Sequence, residues 1–375
     1  MVPPAPHPPL ETAARHLDRF RHARLLCVGD AMLDRVVSGT VGRISPEAPI
    51  PVLCMRATRA VPGGAGNVLA NLVALGTRAT LIAVAGDDAA GSELAALLDA
   101  LAPGRAVLVP EPGRRTTVKT RYVAGSQQLL RVDEETSRPV AEATAATVLT
   151  AARELLPEAD ALVLSDYAKG VLTGAALAEL IARAQGLGKP VLVDPKGPGY
   201  DRYRGATVIT PNRHELAAAT GEAVDDEAAL GHAAATLRVR LGVPWVLATL
   251  GGEGMLLQGE GGAGDRIQGI RREVFDVVGA GDTVIACLAA MVAAGATMPE
   301  AAAMANLAGS VAVTRAGTAP VGDADLRQAL AEQRGAGHEA KLLGAEAALR
   351  LVQEARRQGA RIGFTNGCFD ILHAG

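Results

Sequence analysis

The stretch DVVGAGDTVIACLAAMVAAG, residues 276–295, decides the fold. With the residues just before it, this stretch predicts a strand at Val274–Val278, a tight turn of small residues, and a helix over 281–295. The helix is almost wholly apolar, yet a single acid, Asp282, stands where the turn meets it. The arrangement raises the question of why a lone carboxylate precedes a buried helix.

The turn consists of Gly279, Ala280 and Gly281, which lack bulky side chains and let the main chain approach a ligand closely. At a helix N-terminus several amide groups have no partner within the helix, and the helix dipole is positive. Such a turn is suited to bind a phosphate group. Asp282, beside that group, can accept the proton of a hydroxyl that attacks it.

Two other interpretations of the turn stay open at this point. Aspartate is a common helix cap, so Gly-Ala-Gly-Asp can be no more than a capped tight turn. A dinucleotide-binding fingerprint fits less well, because Val284 stands where its last glycine is expected. The sequence contains no GxxxxGK[ST] motif, which excludes a P-loop kinase at the level of motifs.

Composition limits the remaining classes of function. About half of the 375 residues are apolar, 2% are aromatic and the net charge is −3, so nucleic-acid binding as the main task is not expected. None of the four cysteines forms a CxxC pair, which gives no support to a structural zinc site or a disulfide framework. Neither a signal peptide nor a segment suited to span a bilayer is recognised. We expect a cytoplasmic protein with no membrane partner.

Strand-like and helix-like runs alternate along most of the chain. The predicted strands are Leu25–Gly29, Ala79–Ala85, Ala161–Ser165, Val191–Asp194, Thr207–Thr210, Trp245–Leu250 and Val274–Val278. The predicted helices lie near 65–76, 91–101, 140–155, 173–187, 225–241, 281–295 and 298–314. This alternation predicts an α/β fold in which a doubly wound parallel sheet has helices on both faces. Segments near 35–56 and 117–132 interrupt it and are expected to form a small β lid.

The two ends of the chain differ from this pattern. Residues 1–10 are rich in proline and are predicted to be a disordered tail, whereas residues 11–22 suit a short amphipathic helix. The main domain is expected at 11–330, followed by a polar, glycine-containing linker at 331–343. Residues 344–375 suit a helix and a strand that open a second domain.

Polar residues cluster where predicted strands end, which is the edge of such sheets at which ligands bind. Asp30 and Asp34 follow the first strand in DAMLDR and can bond sugar hydroxyls. PGGAGN, residues 62–67, is a glycine-rich turn that leads into a helix. VLATLGGEGMLL, residues 246–257, suits a hairpin beside a nucleotide site.

TPNRHE follows another predicted strand. Its Asn212 and Glu215 offer oxygen ligands suited to Mg²⁺ or to its water ligands, whereas His214 is expected on the surface of a helix. VDPKG brings Asp194 and Lys196 to a further strand end, where a structural turn is an equally good interpretation.

In this order, the motifs resemble those of the ribokinase-like (PfkB) carbohydrate kinases over residues 24–330. The early Gly-Gly turn with its asparagine, the N-x-x-E segment and the late G-A-G-D turn carry the resemblance. A narrower resemblance, carried by GDAMLDR, GRISPEAPIPVL, LVLSDYAKGVL, VLVDPKG, YRGATVITPN and DVVGAGDTVI, is to the kinase half of bifunctional heptose-phosphate kinase/adenylyltransferases. It implies a ribokinase-like fold, ATP and Mg²⁺ as cofactors, and phosphorylation of D-glycero-β-D-manno-heptose 7-phosphate at O1. That reaction would serve ADP-heptose synthesis for the lipopolysaccharide core.

The resemblance also implies a role for each motif. Asp282 would be the base that activates the anomeric hydroxyl, and the turn amides before it would hold the transferred phosphoryl group. The other implied positions are Asp30, Asp34, Gly63, Gly64 and Asn67 on the sugar side, and Asn212, Arg213, His214 and Glu215 on the side of ATP and Mg²⁺. One departure is Val277, where many members of the wider family have threonine.

The phosphate of the substrate sugar requires a cationic partner, for which arginine and lysine are suited. The candidates are Arg43, Lys119, Arg121 and Arg131 in the predicted lid, and Lys169 after a strand end in SDYAKG. The alternative interpretation of these residues is that they are solvated surface charges.

The last residues, TNGCFDILHAG, resemble the start of the adenylyltransferase domain of the same bifunctional enzymes. His373 and Gly375 match the first and third positions of its H-x-G-H motif, and the sequence given ends before the second histidine. Adenylyltransferase activity is therefore not expected from these residues, and Asp370 would matter only in a complete second domain.

Two alternatives to a heptose kinase stay open. One is another ribokinase-like kinase, for fructose 6-phosphate, fructose or a nucleoside. The other is a non-catalytic protein that binds a sugar phosphate. Related kinases are often dimers, and the lid segments are suited to pair across a two-fold axis, so a homodimer is expected.

Overall fold

A computed structural model describes residues 8–333 apart from 103, 126, 263 and 316, together with Leu349, Val352 and Arg356. The first seven residues of the predicted tail, and almost all of the predicted linker and second domain, lie outside the described residues. No helix in the described part of the chain is both long and apolar enough to cross a membrane.

The chain divides into two compact units. The larger unit, Pro6–Arg327, contains every described strand and nearly every described helix. The smaller unit comprises Met1–Ala5 and Gln328–Gly375, of which the structure describes residues 328–333 and three later positions.

The elements of the described residues are as follows. The strands are β1 Arg24–Gly29, β2 Ala31–Ile44, β3 Pro51–Gly64, β4 Arg78–Gly86, β5 Ala106–Glu111, β6 Val118–Ala124, β7 Gln127–Glu134, β8 Ala161–Ser165, β9 Val191–Asp194, β10 Val208–Ile209, β11 Trp245–Thr249, β12 Gly254–Gln258 and β13 Asp265–Gln268. The helices are α1 Pro8–Ala13, α2 Ala65–Ala74, α3 Ala89–Leu101, α4 Glu142–Leu155, α5 Gly174–Gly186, α6 Arg213–Thr220, α7 Glu227–Leu241, α8 Ala280–Ala293, α9 Met298–Ala312 and α10 Asp323–Gln333. Short 3₁₀ segments cover Ala14–His22, Leu156–Glu158, Tyr200–Tyr203 and Gly251–Glu253.

The main sheet has nine strands in the order β13-β12-β11-β10-β9-β8-β1-β4-β5. The seven strands from β11 to β5 are parallel, and the hairpin of β12 and β13 continues the sheet in antiparallel fashion. The chain leaves β1 towards β4 on one side and later returns to β8 on the other, which creates a switch point at β1. The predicted doubly wound α/β fold is confirmed.

The core lies on both faces of this sheet. Leu26 and Val28 of β1 belong to a buried cluster with residues of α4, α5 and α7. Successive strand residues point to opposite faces, so Leu25 and Cys27, which are equally buried, face the layer in which α8 packs between α2 and α9. Small and aliphatic side chains fill both layers, as expected from a chain with so few aromatic residues.

The second sheet is the lid predicted from the sequence. Its order is β3-β2-β6-β7, with β2 and β6 parallel and the outer pairs antiparallel. Both segments predicted for the lid lie in it, although the strands extend further than predicted. Only Asp30 separates β1 from β2, and β3 leads directly into α2. The lid is therefore anchored where the main sheet presents its ligand-binding edge.

Several predicted elements differ from the structure. The strand predicted at Val274–Val278 is wrong, since this segment is irregular and the amides of Phe275 and Asp276 both donate to Val313 O. Its apolar side chains are largely exposed, because the segment runs over the surface and has no strand beside it to pair with. Residues 8–10 of the predicted disordered tail are helical, and helix α6 and strand β5 were not predicted.

Candidate active site

The candidate site lies at the carboxyl ends of β8, β9, β10 and β11, where α8 begins. A cavity of about 210 Å³ occupies this edge. It is lined by Asp166, Tyr167, Asp194, Lys196, Thr210, Asn212, Glu215, Thr249, Gly281 and Val284. Most of these side chains are polar, as expected for a site that positions a charged ligand at the end of a parallel sheet.

Asp282 lies in the first turn of α8 and is only 3% exposed. Each of its carboxylate oxygens accepts one hydrogen bond. The amide of Asn67 on α2 donates to Oδ2 over 2.8 Å, and the hydroxyl of Tyr167, just after β8, donates to Oδ1 over 2.7 Å. A buried carboxylate is costly unless it is hydrogen-bonded, so these two donors hold the group in place.

Burial raises the pKa of Asp282 to about 7. The hydrogen bonds from Asn67 and Tyr167 oppose that shift because they favour the ionised form, whereas the nearby carboxylate of Asp34 adds to it and Lys196 opposes it. A carboxylate that titrates near neutrality is suited to act as a general base, since its conjugate acid is neither too strong nor too weak.

The small-residue turn has a geometry that requires glycine. Gly279 is in the left-handed conformation with φ of 79°, and a Cβ there would lie 2.7 Å from the amide nitrogen of Asn67. Any larger residue would displace the donor that holds Asp282. Of the three turn amides, that of Ala280 donates to Val277 O over 3.3 Å, whereas Gly281 lines the cavity. Gly281 is thus the member best placed to face a ligand.

Asp30, for which a sugar contact is predicted, is hydrogen-bonded within the protein. It is 1% exposed, and its carboxylate accepts hydrogen bonds from the main-chain amides of Tyr167 (2.8 Å), Lys169 (3.0 Å) and Val171 (3.1 Å). Ala168, within that turn, has a φ of 55°. We assign Asp30 to holding this turn, which presents the Tyr167 hydroxyl to Asp282.

The other residues predicted on the sugar side lie together at the base of the lid. Asp34 accepts a hydrogen bond from Arg121 over 2.6 Å. A Cβ on Gly63 would lie 2.1 Å from Asp34 Oδ2, and one on Gly64 would lie 2.5 Å from Asp30 O. The two glycines therefore allow β3 to pass close to both acids. Asn67 directs its amide to Asp282.

The N-x-x-E segment forms the start of α6. The side chain of Asn212 accepts from Glu215 N–H, and Glu215 Oε2 accepts from Asn212 N–H over 2.9 Å, which is a capping box. Glu215 Oε1 accepts from Lys196 Nζ over 2.5 Å. Glu215, the predicted Mg²⁺ ligand, is thus hydrogen-bonded through both of its carboxylate oxygens. To bind a cation directly, it would have to give up its contact with Lys196.

The two residues between Asn212 and Glu215 point elsewhere. Arg213 donates to Val224 O and pairs with Glu253 over 2.8 Å. His214 lines a second, larger cavity of about 680 Å³, which shares Lys196, Asn212 and Glu215 with the first. Neither side chain lines the cavity beside Asp282.

Asp194 lines the first cavity at the end of β9. Its carboxylate accepts a long hydrogen bond, over 3.5 Å, from the hydroxyl of Thr210. Desolvation, together with the negative charges of Asp282 and Glu215, raises the pKa of Asp194 well above its usual value. The acids around the cavity therefore disfavour each other's ionisation, and a bound cation would favour their ionised forms.

The predicted sugar-phosphate ligands are mostly paired with acids at the edge of the lid. Lys169 Nζ lies 2.8 Å from Glu135, and Lys119 Nζ lies 3.0 Å from Asp133 and 3.5 Å from Glu135. Arg131 also pairs with Asp133, over 2.9 Å. Arg43 is exposed near the far end of β2.

The strand register aligns three arginines across the lid. Arg59 of β3, Val36 of β2, Arg121 of β6 and Arg131 of β7 are direct neighbours in one row. Because side chains two residues apart share a face, this row is on the same face as Asp34. Arg121 and Arg131 were predicted from the sequence, but Arg59 was not, because its place in the row depends on the pairing of β2 with β3.

Tyr167 was also missed. It stands in SDYAKG two residues before Lys169, and its position two residues after the end of a predicted strand was the available signal. Tyrosine in such a motif is as easily a packing residue, so nothing in the sequence alone distinguishes its hydroxyl as a partner of Asp282.

Comparison with known proteins gives the chain a family context. The profile of the pfkB family carbohydrate kinases matches residues 22–324. The bifunctional protein HldE of Paramagnetospirillum magneticum (strain ATCC 700264 / AMB-1) is 50% identical over 366 residues, which cover 98% of this chain and 75% of the relative. The bifunctional protein HldE of Caulobacter vibrioides (strain ATCC 19089 / CIP 103742 / CB 15) is 47% identical over 368 residues, 98% of this chain and 76% of the relative.

Solved structures share the fold. Phosphofructokinase-2 from Escherichia coli in complex with potassium has a TM-score of 0.70 at 23% identity, covering 83% of this chain and 99% of that one. Arabidopsis thaliana ribokinase complexed with ribose and ATP has a TM-score of 0.65 at 20% identity, and the match covers 82% of this chain and 98% of the ribokinase chain. At these identities the likeness concerns the fold alone.

The Tyr167→Phe variant tests whether the tyrosine hydroxyl stabilises the Asp282 carboxylate. Removing the donor disfavours the ionised form, so the pKa of Asp282 should rise by about one unit, the equivalent of one modest hydrogen bond. Carbon-13 NMR of protein labelled at the aspartate carboxyls measures it, with Asp282→Asn used to assign the resonance. An unchanged pKa would show that the 2.7 Å contact does not contribute.

Proposed function

Because the chain belongs to the pfkB family of carbohydrate kinases, we propose that it phosphorylates D-glycero-β-D-manno-heptose 7-phosphate at O1 with ATP. The products would be heptose 1,7-bisphosphate and ADP, on the route to ADP-heptose. The observation that carries the proposal is the buried Asp282 behind the glycine turn, with a pKa of about 7. The motifs of the chain resemble those of heptose-phosphate kinases, and relatives named HldE are about 50% identical to the chain in sequence.

Asp282 is the proposed general base. As the anomeric O1 attacks the terminal phosphorus of ATP, its proton passes to the Asp282 carboxylate. The O1–P bond forms while the bond from phosphorus to the bridging oxygen of ADP breaks, so ADP leaves with that oxygen. Asn67 and Tyr167 keep the carboxylate oriented during this step, and the positive end of α8 stabilises the charge on the phosphoryl group.

The nucleotide phosphates are proposed to occupy the cavity lined by Gly281, Asn212 and Thr249. Lys196 offers a mobile positive charge there, because its side chain is half exposed and its partner Glu215 is at the cavity wall. A phosphate chain that enters the cavity can take over this ammonium group, which also frees Glu215. Asn212 and Glu215 thus retain the nucleotide-side role implied by the sequence.

Mg²⁺ fits the chemistry of the cavity, since Asp194, Thr210, Asn212 and Glu215 are oxygen donors, which this ion prefers. The described residues contain no group of three or more acidic, histidine or cysteine side chains placed to hold a metal alone. That agrees with an ion bound through one or two carboxylates and the phosphates of the nucleotide. When bound, it would neutralise charge on those phosphates, and Glu215 is the proposed protein ligand.

The arginine row of the lid supports a substrate that carries a phosphate of its own. Like charges directly opposite each other destabilise a sheet, yet Arg121 and Arg131 are direct neighbours and Arg59 shares their row. Asp34 and Asp133 offset part of that cost by pairing with Arg121 and Arg131, and an anion held by the remaining arginine donors would offset the rest, since arginine forks suit phosphate. The row is two residues, about 7 Å, beyond Asp34 along β2, so a sugar between Asp282 and the row can be held at both ends.

The kinase proposal is tested by incubating the purified protein with ATP, Mg²⁺ and heptose 7-phosphate. ADP release coupled to O1 phosphorylation is expected, and kcat/KM should rise with pH towards about 7 and level above it, because Asp282 acts in its ionised form. Asp282→Asn should lower kcat by about 10²- to 10⁴-fold, the usual contribution of a general base. No ADP release, or faster turnover of fructose 6-phosphate, would contradict the proposed substrate.

The lid row is tested by Arg59→Ala and Arg131→Ala. Each loses a charge-assisted contact to phosphate, so KM for the sugar phosphate should rise about 10- to 100-fold while KM for ATP stays the same. Arg115→Ala is the matched control, because Arg115 pairs with Glu134, whose side chain is on the other face of β7. Equal effects of all three variants would contradict a phosphate site on this row.

A homodimer formed through the lid is also proposed. Large apolar side chains on the lid are exposed, among them Ile44 (60%), Ile50 (57%), Met55 (67%) and Leu130 (57%). Such a concentration of exposed apolar groups is typical of an interaction surface. Light scattering should give twice the chain mass for the wild type, and Ile44→Lys with Leu130→Lys should give a monomer. A monomeric wild type at micromolar concentration would contradict the dimer.

A further inference from the structure

Asn71 joins three segments of the chain beneath the candidate site. It lies one helical turn after Asn67 on α2, is fully buried, and lines neither of the two cavities of the candidate site. Its side-chain oxygen accepts hydrogen bonds from Val321 N–H and from the Thr283 hydroxyl, each over 3.0 Å. Its amide nitrogen donates to Asn67 O over 2.9 Å and to Asn67 Oδ1 over 3.3 Å.

These contacts give the two asparagine amides a defined orientation. A main-chain N–H can only donate, so the group that faces Val321 N–H must be the oxygen of Asn71. Its NH₂ group then faces Asn67 Oδ1, which in turn directs the NH₂ group of Asn67 to Asp282 Oδ2 over 2.8 Å. The direction of every hydrogen bond in this series follows from one backbone amide.

We propose that Asn71 is a positioning residue, which sets the orientation of the Asn67 amide and thereby keeps a donor on the catalytic carboxylate. If the Asn67 amide were turned over, its oxygen would face Asp282 and repel the ionised form. The inference rests on the proposed function, because it assumes that Asp282 acts as the base. Asn71 itself touches no reacting group.

The surroundings of Asp282 allow this effect to be separated from others. The titratable groups that act on it from the neighbouring elements are Asp34 on β2, Tyr167 after β8, Asp194 at the end of β9, Lys196 just beyond it, and Cys27 on β1. All of them are unchanged when Asn71 is replaced by an uncharged residue. A change in the titration of Asp282 in such a variant would therefore report the lost hydrogen bonds.

The decisive experiment is the pH profile of kcat/KM for Asn71→Leu, which keeps the size of the side chain but cannot orient Asn67. We expect the acidic limb to move up by about one pH unit, since Asp282 loses a hydrogen bond to its ionised form. At pH 7 kcat should fall about fivefold, because the ionised fraction of Asp282 would drop from about one half to about one tenth, while KM for the sugar and for ATP should remain near the wild-type values. A smaller substitution, Asn71→Ser, gives the same test if the leucine variant does not fold.

Asn306→Leu is the matched control, because Asn306 is a buried asparagine on α9 whose amide donates to Gln268 O over 2.8 Å. Both leucine variants should melt at lower temperature, but only the one at Asn71 should shift the acidic limb. An unshifted limb in an active, folded Asn71 variant would overturn the inference and leave a structural role only. A wild-type protein without kinase activity would instead refute the proposed function.

Discussion

The hydrogen bonds that Asn67 and Tyr167 donate to Asp282 are the interactions on which the candidate site depends. A carboxylate at the start of an apolar helix loses its hydration, and without partners it would be neutral at physiological pH. The two donors come from different parts of the fold, one from α2 and the other from the turn after β8. The central strands of the sheet, the lid connection and α8 must therefore all be in position before the carboxylate has its partners.

Each donor is held by a second layer of contacts. Asn67 is oriented by Asn71. The turn that carries Tyr167 is fixed by the carboxylate of Asp30, which accepts hydrogen bonds from three main-chain amides of that turn. These supporting groups are almost fully buried, so they are protected from competition with water. This construction explains how a motif made of glycine, alanine and one acid can hold a defined geometry.

Much of the architecture could be predicted from the alternation of apolar runs, because buried parallel strands and the helices between them have clear periodicities. The residues of the glycine turn and of the N-x-x-E segment were likewise recognisable. The apolar run at 274–278 misled the prediction, since a hydrophobic segment without a neighbouring strand cannot become part of a sheet. The partners of Asp30 and the third arginine of the lid were beyond prediction, because they depend on strand register and on residues more than 130 positions away.

The contrast between the lid and α8 has a consequence for how such a protein can diversify. Ten residues of α8 are buried, and the glycine before it cannot accept a side chain without displacing Asn67, which donates to Asp282. The outer part of the lid, in contrast, consists of exposed positions that tolerate exchange at little cost to folding. New substrate preferences in this lineage would therefore arise on the lid while the chemistry is inherited intact.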